Sequence, residues 1–222
     1  MTPELERLKS WCLLHNIPWN SQTESRFDAY LRLLQTYQKQ TNLIGDDDPN
    51  FIVDELFIDS LQILRTGSLG QSMLDVGTGA GFPAFPIKIV YPNIEMFLVE
   101  PRTKRYAFLQ MAARELGLEK MHSYKSCIES VPVTHVDLVI SKAFAPILKW
   151  IDIARPWAEL GAQVACLVSQ NDWNRAIPQI NKIYKTSALI QSRDRVYARC
   201  LLLSTHDPFT LAQYIFAINH SK

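Results

Sequence analysis

At 222 residues, 47% hydrophobic and with balanced counts of 23 basic and 22 acidic side chains, the chain is long enough to bury a substantial core, which excludes a disordered or low-complexity protein. A net charge of +1 argues against a uniformly basic nucleic-acid protein, but residues 1–60 hold 5 basic and 10 acidic side chains and residues 142–222 hold 10 and 5, so any polyanion is expected to meet the later half. No apolar run reaches membrane-spanning length, MTPELERLKS lacks a signal-peptide core, and Cys12, Cys127, Cys166 and Cys200 form no C-x-x-C pair, so a cytoplasmic protein with reduced thiols, no membrane contact and no metal is expected.

Three helical patterns come first. Thr2 and Pro3 open one with Leu5, Leu8, Trp11 and Cys12 on a single face. Ser21 with Glu24 reads as a capping box for the second, whose face is Phe27, Tyr30, Leu31, Leu34 and Tyr37. Asp48 and Pro49 suit the cap and first turn of a third, carrying Ile52, Leu56 and Leu64. The chain divides near residue 66, giving an expected helical extension over residues 1–65 and a second unit over 66–222. After Gly70 strands and helices alternate, the pattern of a doubly wound α/β domain of about seven strands. Strands are expected at 73–76, 94–99, 121–125, 136–140, 163–168, 187–193 and 197–204, with helices at 83–90, 104–116, 143–159 and 172–184. A tight turn around Asp194 joins the last two strands, and Asp207 with Pro208 caps a final helix reaching about Asn219, with Phe209, Leu211, Tyr214, Ile215 and Ile218 on one face. The carboxyl ends of the parallel strands then bring Gly77, Glu100, residues 126–129 and residues 141–144 to one crevice.

The segment MLDVGTGAGFP, from Met73 to Pro83, carries the clearest chemistry. A buried strand ends in Asp75 and Val76, and Gly77, Gly79 and Gly81 follow at every second position, where backbone without a Cβ admits a ligand. The dinucleotide fingerprint G-x-G-x-x-G fails, because the third glycine comes one position early and Phe82 stands in its place. A P-loop fails too, for want of Gly-Lys-Ser/Thr. An acid before G-x-G-x-G is similar instead to motif I of methyltransferases using S-adenosylmethionine. The next strand ends at Glu100, where a carboxylate accepts both ribose hydroxyls. Asp75, Gly77, Thr78, Gly79, Gly81, Phe82 and Glu100 are therefore candidate cofactor residues, against a bland alternative in which the glycines only make a tight turn.

Four further segments sharpen this. NLIGDDDPNFIVDELFIDSL, LDVGTGAGFPAFPI, VEPRTKRYAFL and VDLVISKAFAP together resemble the RsmG family, also called GidB, over roughly residues 20–204. The resemblance implies a class I methyltransferase fold with a helical N-terminal extension. It also implies S-adenosylmethionine as methyl donor, S-adenosylhomocysteine as product, and a guanine N7 of 16S ribosomal RNA, free or in a 30S assembly intermediate, as acceptor. Carried over by position, Gly77, Phe82 and Glu100 match cofactor positions, and Ile128 with Glu129 the pair along the adenine. Asp59 and Ser60 match a retained Asp-Ser, Lys104 and Arg105 a Lys-Arg pair, and Arg199 an arginine of the last strand, these three cations being the expected RNA contacts. Departures are Glu55 and Leu56 for Arg-His, Cys127 for arginine, Lys142 for the arginine of Ser-Arg-Ala-Phe-Ala, and Val168 for the lysine of Leu-Lys-Gly.

Guanine N7 has a free lone pair and loses no proton on methylation, so the reaction needs orientation and desolvation rather than a general base. Lys142 is expected to reach the cofactor carboxylate or an RNA phosphate as a point charge, and Phe144 to stack on the extruded guanine. Cys166, inside an expected strand, reads as a small buried apolar residue rather than a thiolate nucleophile. A relative methylating another acceptor, a cofactor-binding module without transferase activity and, distantly, an NAD-dependent oxidoreductase stay open as alternatives. Nothing in the sequence demands more than a monomer.

Overall fold

The computed structural model describes residues 2–132, 134–142, 144–182, 184–192 and 195–202. The expected turn at Asp194 and the expected helix after Asp207 lie outside the described residues. Helix α1, Pro3–Leu14, starts at a Thr2 cap whose hydroxyl accepts from the Leu5 amide at 3.4 Å. Helix α2, Ser21–Thr41, is capped by Asn20, whose side-chain oxygen accepts from the Thr23 amide at 2.9 Å, so the expected Ser21 cap is corrected by one residue. Asn20 is already extended and its short amide reaches the free N–H groups of the first turn, leaving Ser21 as first helical residue.

The third helical segment departs further from expectation. It starts at an Asp48 cap and runs through α3, Pro49–Phe51, a π-helical stretch Ile52–Ile58, α4, Asp59–Leu61, and a 3-10 ending Gln62–Thr66. A wider turn rotates the buried stripe away from strict α spacing. Val53, Phe57 and Leu61 are therefore buried with Ile52, while the expected Leu56 and Leu64 sit only half-buried at its edges.

Strands β1 (Ser72–Val76), β2 (Glu95–Val99), β3 (Met121–Tyr124), β4 (Leu138–Lys142), β5 (Gln163–Ser169), β6 (Tyr184–Ser192) and β7 (Arg195–Leu202) form one sheet in the order β3-β2-β1-β4-β5-β7-β6. The first five pair in parallel, and β7 runs antiparallel to both its neighbours. Parallel strands covered on both faces need apolar residues at successive positions, and LVISK in β4 is buried at all but its last. Met73, Met96, Leu98, Leu138 and Ile140 face one core with α1, α2, the π-helical segment, α5 (Ala84–Val90) and α6 (Thr103–Glu115). Leu74, Val76, Val99, Val139 and Val164 face another with α7 (Ile147–Glu159) and α8 (Gln170–Ile180). The N-terminal helices thus share a core with the sheet, through rings of Phe27, Tyr30, Phe57, Phe82 and Phe85 whose paired centroids lie 5.2 to 6.1 Å apart. Each such pair stabilises by about 0.5–1.5 kcal/mol beyond its area. Strand order reverses between β1 and β4, which opens a crevice at their carboxyl ends.

Candidate cofactor and acceptor site

The glycine loop leaves β1 at this switch point and is fastened from three sides. Asp75, fully buried, accepts through Oδ2 from the Thr78 hydroxyl at 2.7 Å and the Ala84 amide at 3.2 Å, clamping both ends of the loop. Burial pushes its carboxyl up to about 8, against the opposing pull of those hydrogen bonds and of Lys142. Glu100, 3% exposed at the end of β2, accepts the Gly79 amide at 3.1 Å and the Arg102 amide at 2.8 Å. From the N-terminal helices, the buried Tyr30 hydroxyl donates to the Ala80 carbonyl at 2.7 Å.

Two glycines are sterically required. At Gly77, φ is +72° and an added Cβ would lie 2.4 Å from Cδ2 of Phe144. At Gly81, φ is +102° and a Cβ would meet Phe85 at 2.9 Å and the Tyr30 hydroxyl at 3.0 Å. Phe144 is 40% exposed and sets its edge against Trp150, with centroids 6.4 Å apart. Trp150 is itself fixed by an indole hydrogen bond to the Ala165 carbonyl at 2.9 Å. Gly77 and Phe144, both expected at one crevice, are therefore in contact, with the ring over the loop.

The other expected residues fall into two groups. Thr78 is buried, Phe82 packs in the aromatic cluster, Ile128 is buried in the short 3-10 turn Ile128–Ser130 after β3, and Glu129 beside it is exposed. Lys104 is exposed on the first turn of α6. Arg105 lies by the loop, its Nη1 3.6 Å from where a Gly79 Cβ would stand. Two expectations are revised. Arg199 is 2% exposed and donates to the carbonyls of Gly67 at 2.6 Å, Ile63 at 3.3 Å and Ser68. It satisfies carbonyls left over at the end of the 3-10 helix, so its guanidinium is held inside the fold and away from a phosphate. Lys142 is also committed inward: its Nζ is 2.6 Å from Asp59 Oδ2 and donates to the Glu55 carbonyl at 2.9 Å. Burial pushes its ammonium below the ordinary lysine range, opposed by Asp59.

Asp59 explains why an Asp-Ser stands in the third helical segment. Its other oxygen accepts from the Tyr197 hydroxyl and lies 3.4 Å from Arg195 Nε, whose guanidinium is 3.7 Å from Glu55 Oε2. Glu55, Asp59, Lys142, Arg195 and Tyr197 thus form one network across the π-helical segment, the start of α4, the end of β4 and the start of β7. Arg195, Tyr197 and the buried role of Tyr30 escaped the sequence reading, since helical periodicity marks Tyr30 only as core and nothing local marks the other two.

The residues present fit a nucleoside cofactor. The face of Gly77 without a Cβ lies under the Phe144 ring, a Cβ at Gly79 would have no neighbour nearer than Arg105 Nη1 at 3.6 Å, and Glu100 offers a carboxylate at the end of β2. Asp75 Oδ1, Ser126 Oγ and Ser141 Oγ, all at or just beyond strand carboxyl ends, are buried without a hydrogen-bond partner. Among the described residues no cluster of His, Cys, Asp or Glu is placed to hold a metal ion, and no helix is long and apolar enough to cross a membrane. A cavity of about 1230 Å³ lies at the opposite, amino edge of the sheet, around residues 67–72 and 91–95. Its size does not make it the site, because ligands of such sheets bind at the carboxyl ends, and Asp137 there is taken by the Gln71 and Ser72 amides at 2.7 and 2.9 Å.

Residues 23–191 match the family model described as rRNA small subunit methyltransferase G, GidB. The chain is 30% identical over 159 residues to Ribosomal RNA small subunit methyltransferase G of Streptococcus pyogenes serotype M49, covering 68% of this chain and 67% of that one. With the protein of the same name from Streptococcus gordonii the identity is 29% over 163 residues, covering 70% and 69%. Among solved structures, it is similar to ribosomal protein L11 methylase from Lactobacillus delbrueckii subsp. bulgaricus, with a TM-score of 0.54 and 14% identity over 66% of this chain and 77% of that one. It is also similar to a SAM-dependent methyltransferase from Aquifex aeolicus, with a TM-score of 0.52 and 17% identity over 76% and 98%. At those identities the structures establish a fold, that of class I S-adenosylmethionine-dependent methyltransferases.

Proposed function

Since the chain belongs to the rRNA small subunit methyltransferase G family, we propose that it transfers the methyl group of S-adenosylmethionine to N7 of a guanine in 16S ribosomal RNA, releasing S-adenosylhomocysteine. The observation that carries this reading is the crevice at the β1–β4 switch point, where the glycine loop is held by Asp75, Glu100 and Tyr30 and roofed by Phe144. In it, Gly77 and Gly79 let backbone approach the nucleoside, the free lone pairs of Glu100 accept ribose hydroxyls, and Ile128 with Glu129 borders the adenine. Bound there, the cofactor supplies an electrophilic sulfonium methyl. The chain's own residues orient the acceptor and exclude water, which suffices for a lone pair that carries no proton. In this reading Phe144, partly exposed over Gly77, flanks the path of the extruded guanine, and the exposed Lys104 meets backbone phosphate. The helices of residues 1–65 act as an extension that braces the loop of the catalytic unit.

The test is transfer of labelled methyl to small-subunit RNA from a strain lacking this modification, as naked RNA and as assembly intermediates, with borohydride and aniline cleavage to map N7-methylguanine. One new cleavage position supports the reading. Cofactor binding without incorporation into either substrate would sink it.

A further inference from the structure

A second, smaller cavity of about 250 Å³ is bordered by Trp11, Glu55, Asp59, Gln62, Arg195 and Tyr197 among others. It sits under the range of about 300–1,000 Å³ usual for drug-sized ligands, a size for one base rather than a whole cofactor. Lys142 stands between the two sites: its Nζ is 5.8 Å from the ring centre of Phe82 in the loop and 2.6 Å from Asp59 on the cavity wall. The cavity thus lies between α1, the third helical segment and the β6–β7 end of the sheet, joined to the glycine loop through Lys142.

We infer that this cavity takes the acceptor guanine and that Glu55 and Arg195 read its Watson–Crick edge; the inference rests on the guanine reading above and names its specificity groups. Guanine shows two adjacent donors, the N2 amino group and N1–H, followed by the O6 acceptor. Glu55 is an acceptor-only carboxylate and Arg195 a donor-only guanidinium, and they stand side by side, Nη2 to Oε2 3.7 Å. That order, acceptor then donor, complements guanine. Adenine reverses it, setting its N1 lone pair against the carboxylate and its amino group against the guanidinium. Uracil matches the pair but lacks the second donor to the carboxylate. A grip on this edge leaves N7, on another side of the purine, free for the methyl group.

Both reading groups are themselves held. Arg195 Nε lies 3.4 Å from the buried Asp59, which Lys142 and Tyr197 also hold. The Glu55 carbonyl, in the π-helical stretch, accepts from Lys142. The cavity's acids and bases are paired with one another, which suits an uncharged base better than a phosphate. Trp11 adds a flat apolar wall of the kind on which bases stack.

The experiment measures nucleoside binding to the full chain saturated with S-adenosylhomocysteine, by ligand-observed NMR with guanosine, inosine, uridine and adenosine. The expected order is guanosine tightest, inosine and uridine weaker, and adenosine weakest, guanosine exceeding adenosine by about 5- to 100-fold, the discrimination of a good bidentate base contact. Glu55→Gln should reduce that preference to within about threefold while leaving S-adenosylhomocysteine affinity unchanged. Because Glu55 is partly exposed and glutamine is isosteric, the variant is expected to fold, which its melting curve checks. Equal binding of guanosine and adenosine, an intact preference in Glu55→Gln, displacement of guanosine by the cofactor product, or no binding at millimolar guanosine would each overturn the inference. A Glu55-dependent guanosine preference without methyl transfer to ribosomal RNA would uphold the cavity and refute the proposed reaction.

Discussion

Replacing Gly77 by alanine tests the geometry of the crevice where the Phe144 ring meets the glycine loop. With φ at +72°, an alanine there costs about 1–2 kcal/mol in backbone strain alone. Its Cβ would also stand 2.4 Å from Cδ2 of Phe144, with Cγ and Cε2 at 3.1 and 3.2 Å, so the whole ring must move. Phe144 is 40% exposed and has room to swing outward, but it then loses its edge contact with Trp150, an aromatic pair worth about 0.5–1.5 kcal/mol. Adding the two contributions gives a loss of about 1.5–3.5 kcal/mol, or a fall in melting temperature of about 3–14 °C for a chain of this size. Cofactor affinity should fall at least tenfold, because the Phe144 ring that roofs the loop is displaced. Thermal melting and calorimetric titration with S-adenosylhomocysteine measure both effects. In a Phe144→Ala background the same substitution should cost only the backbone part, leaving a coupling of about 1 kcal/mol between the sites. An identical cost in both backgrounds would show that the ring does not press on Gly77. A Gly77→Ala protein with wild-type melting and affinity would refute the crevice as described.

Tyr30→Phe removes the hydroxyl that holds the Ala80 carbonyl and leaves a buried acceptor unpaired, so it should cost about 1–3 kcal/mol and weaken cofactor binding; unchanged affinity by titration would mean the N-terminal helices do not brace the loop. The buried Asp75 carboxyl, raised to about 8 from 3.8, keeps its proton in the folded protein over a range where the unfolded chain has released it. Stability should therefore be highest below about pH 4 as far as this group is concerned and decline as pH rises toward 8. Denaturant titrations of Asp75→Asn should show a flatter decline between pH 5 and 8.5, and equal slopes would contradict a protonated Asp75. Lys142→Met strands part of the Asp59 charge and should cost about 3 kcal/mol, the low end for a broken buried pair because Arg195 remains 3.4 Å away. Adding Asp59→Asn should restore much of the loss, and strict additivity in the melting data would argue against the pair. Arg199→Ala should lower the melting temperature but leave the salt dependence of RNA binding unchanged; a slope reduced by about one would place Arg199 on a phosphate instead.

Much of the architecture is written locally. Alternating apolar runs and glycine or proline breaks mark the strands and crossover helices, because a parallel strand covered on both faces must be apolar whatever its neighbours are. The Asp75-to-Phe82 spacing likewise marks the tight loop found between β1 and α5, since a backbone turn under close neighbours needs glycine at fixed positions. Helix ends were less legible: the caps at Asn20 and Ser21 differ by one residue of similar chemistry, and the π-helical turn at Ile52–Ile58 has no periodic signature of its own.

What only the tertiary structure decided is where the charged side chains go. Arg199 and Lys142 carry the same charge in the sequence as Lys104, yet burial and nearby carbonyls or Asp59 turn the first two inward and leave the third in solvent. Likewise, Glu55 reads as a departure from the family pattern until Arg195, 140 positions later in the numbering, meets it across the start of β7. Such pairings depend on elements far apart in the chain being brought within a few ångströms. Periodicity reports which face of an element is buried, and the packing of elements against one another determines which charge stands opposite which.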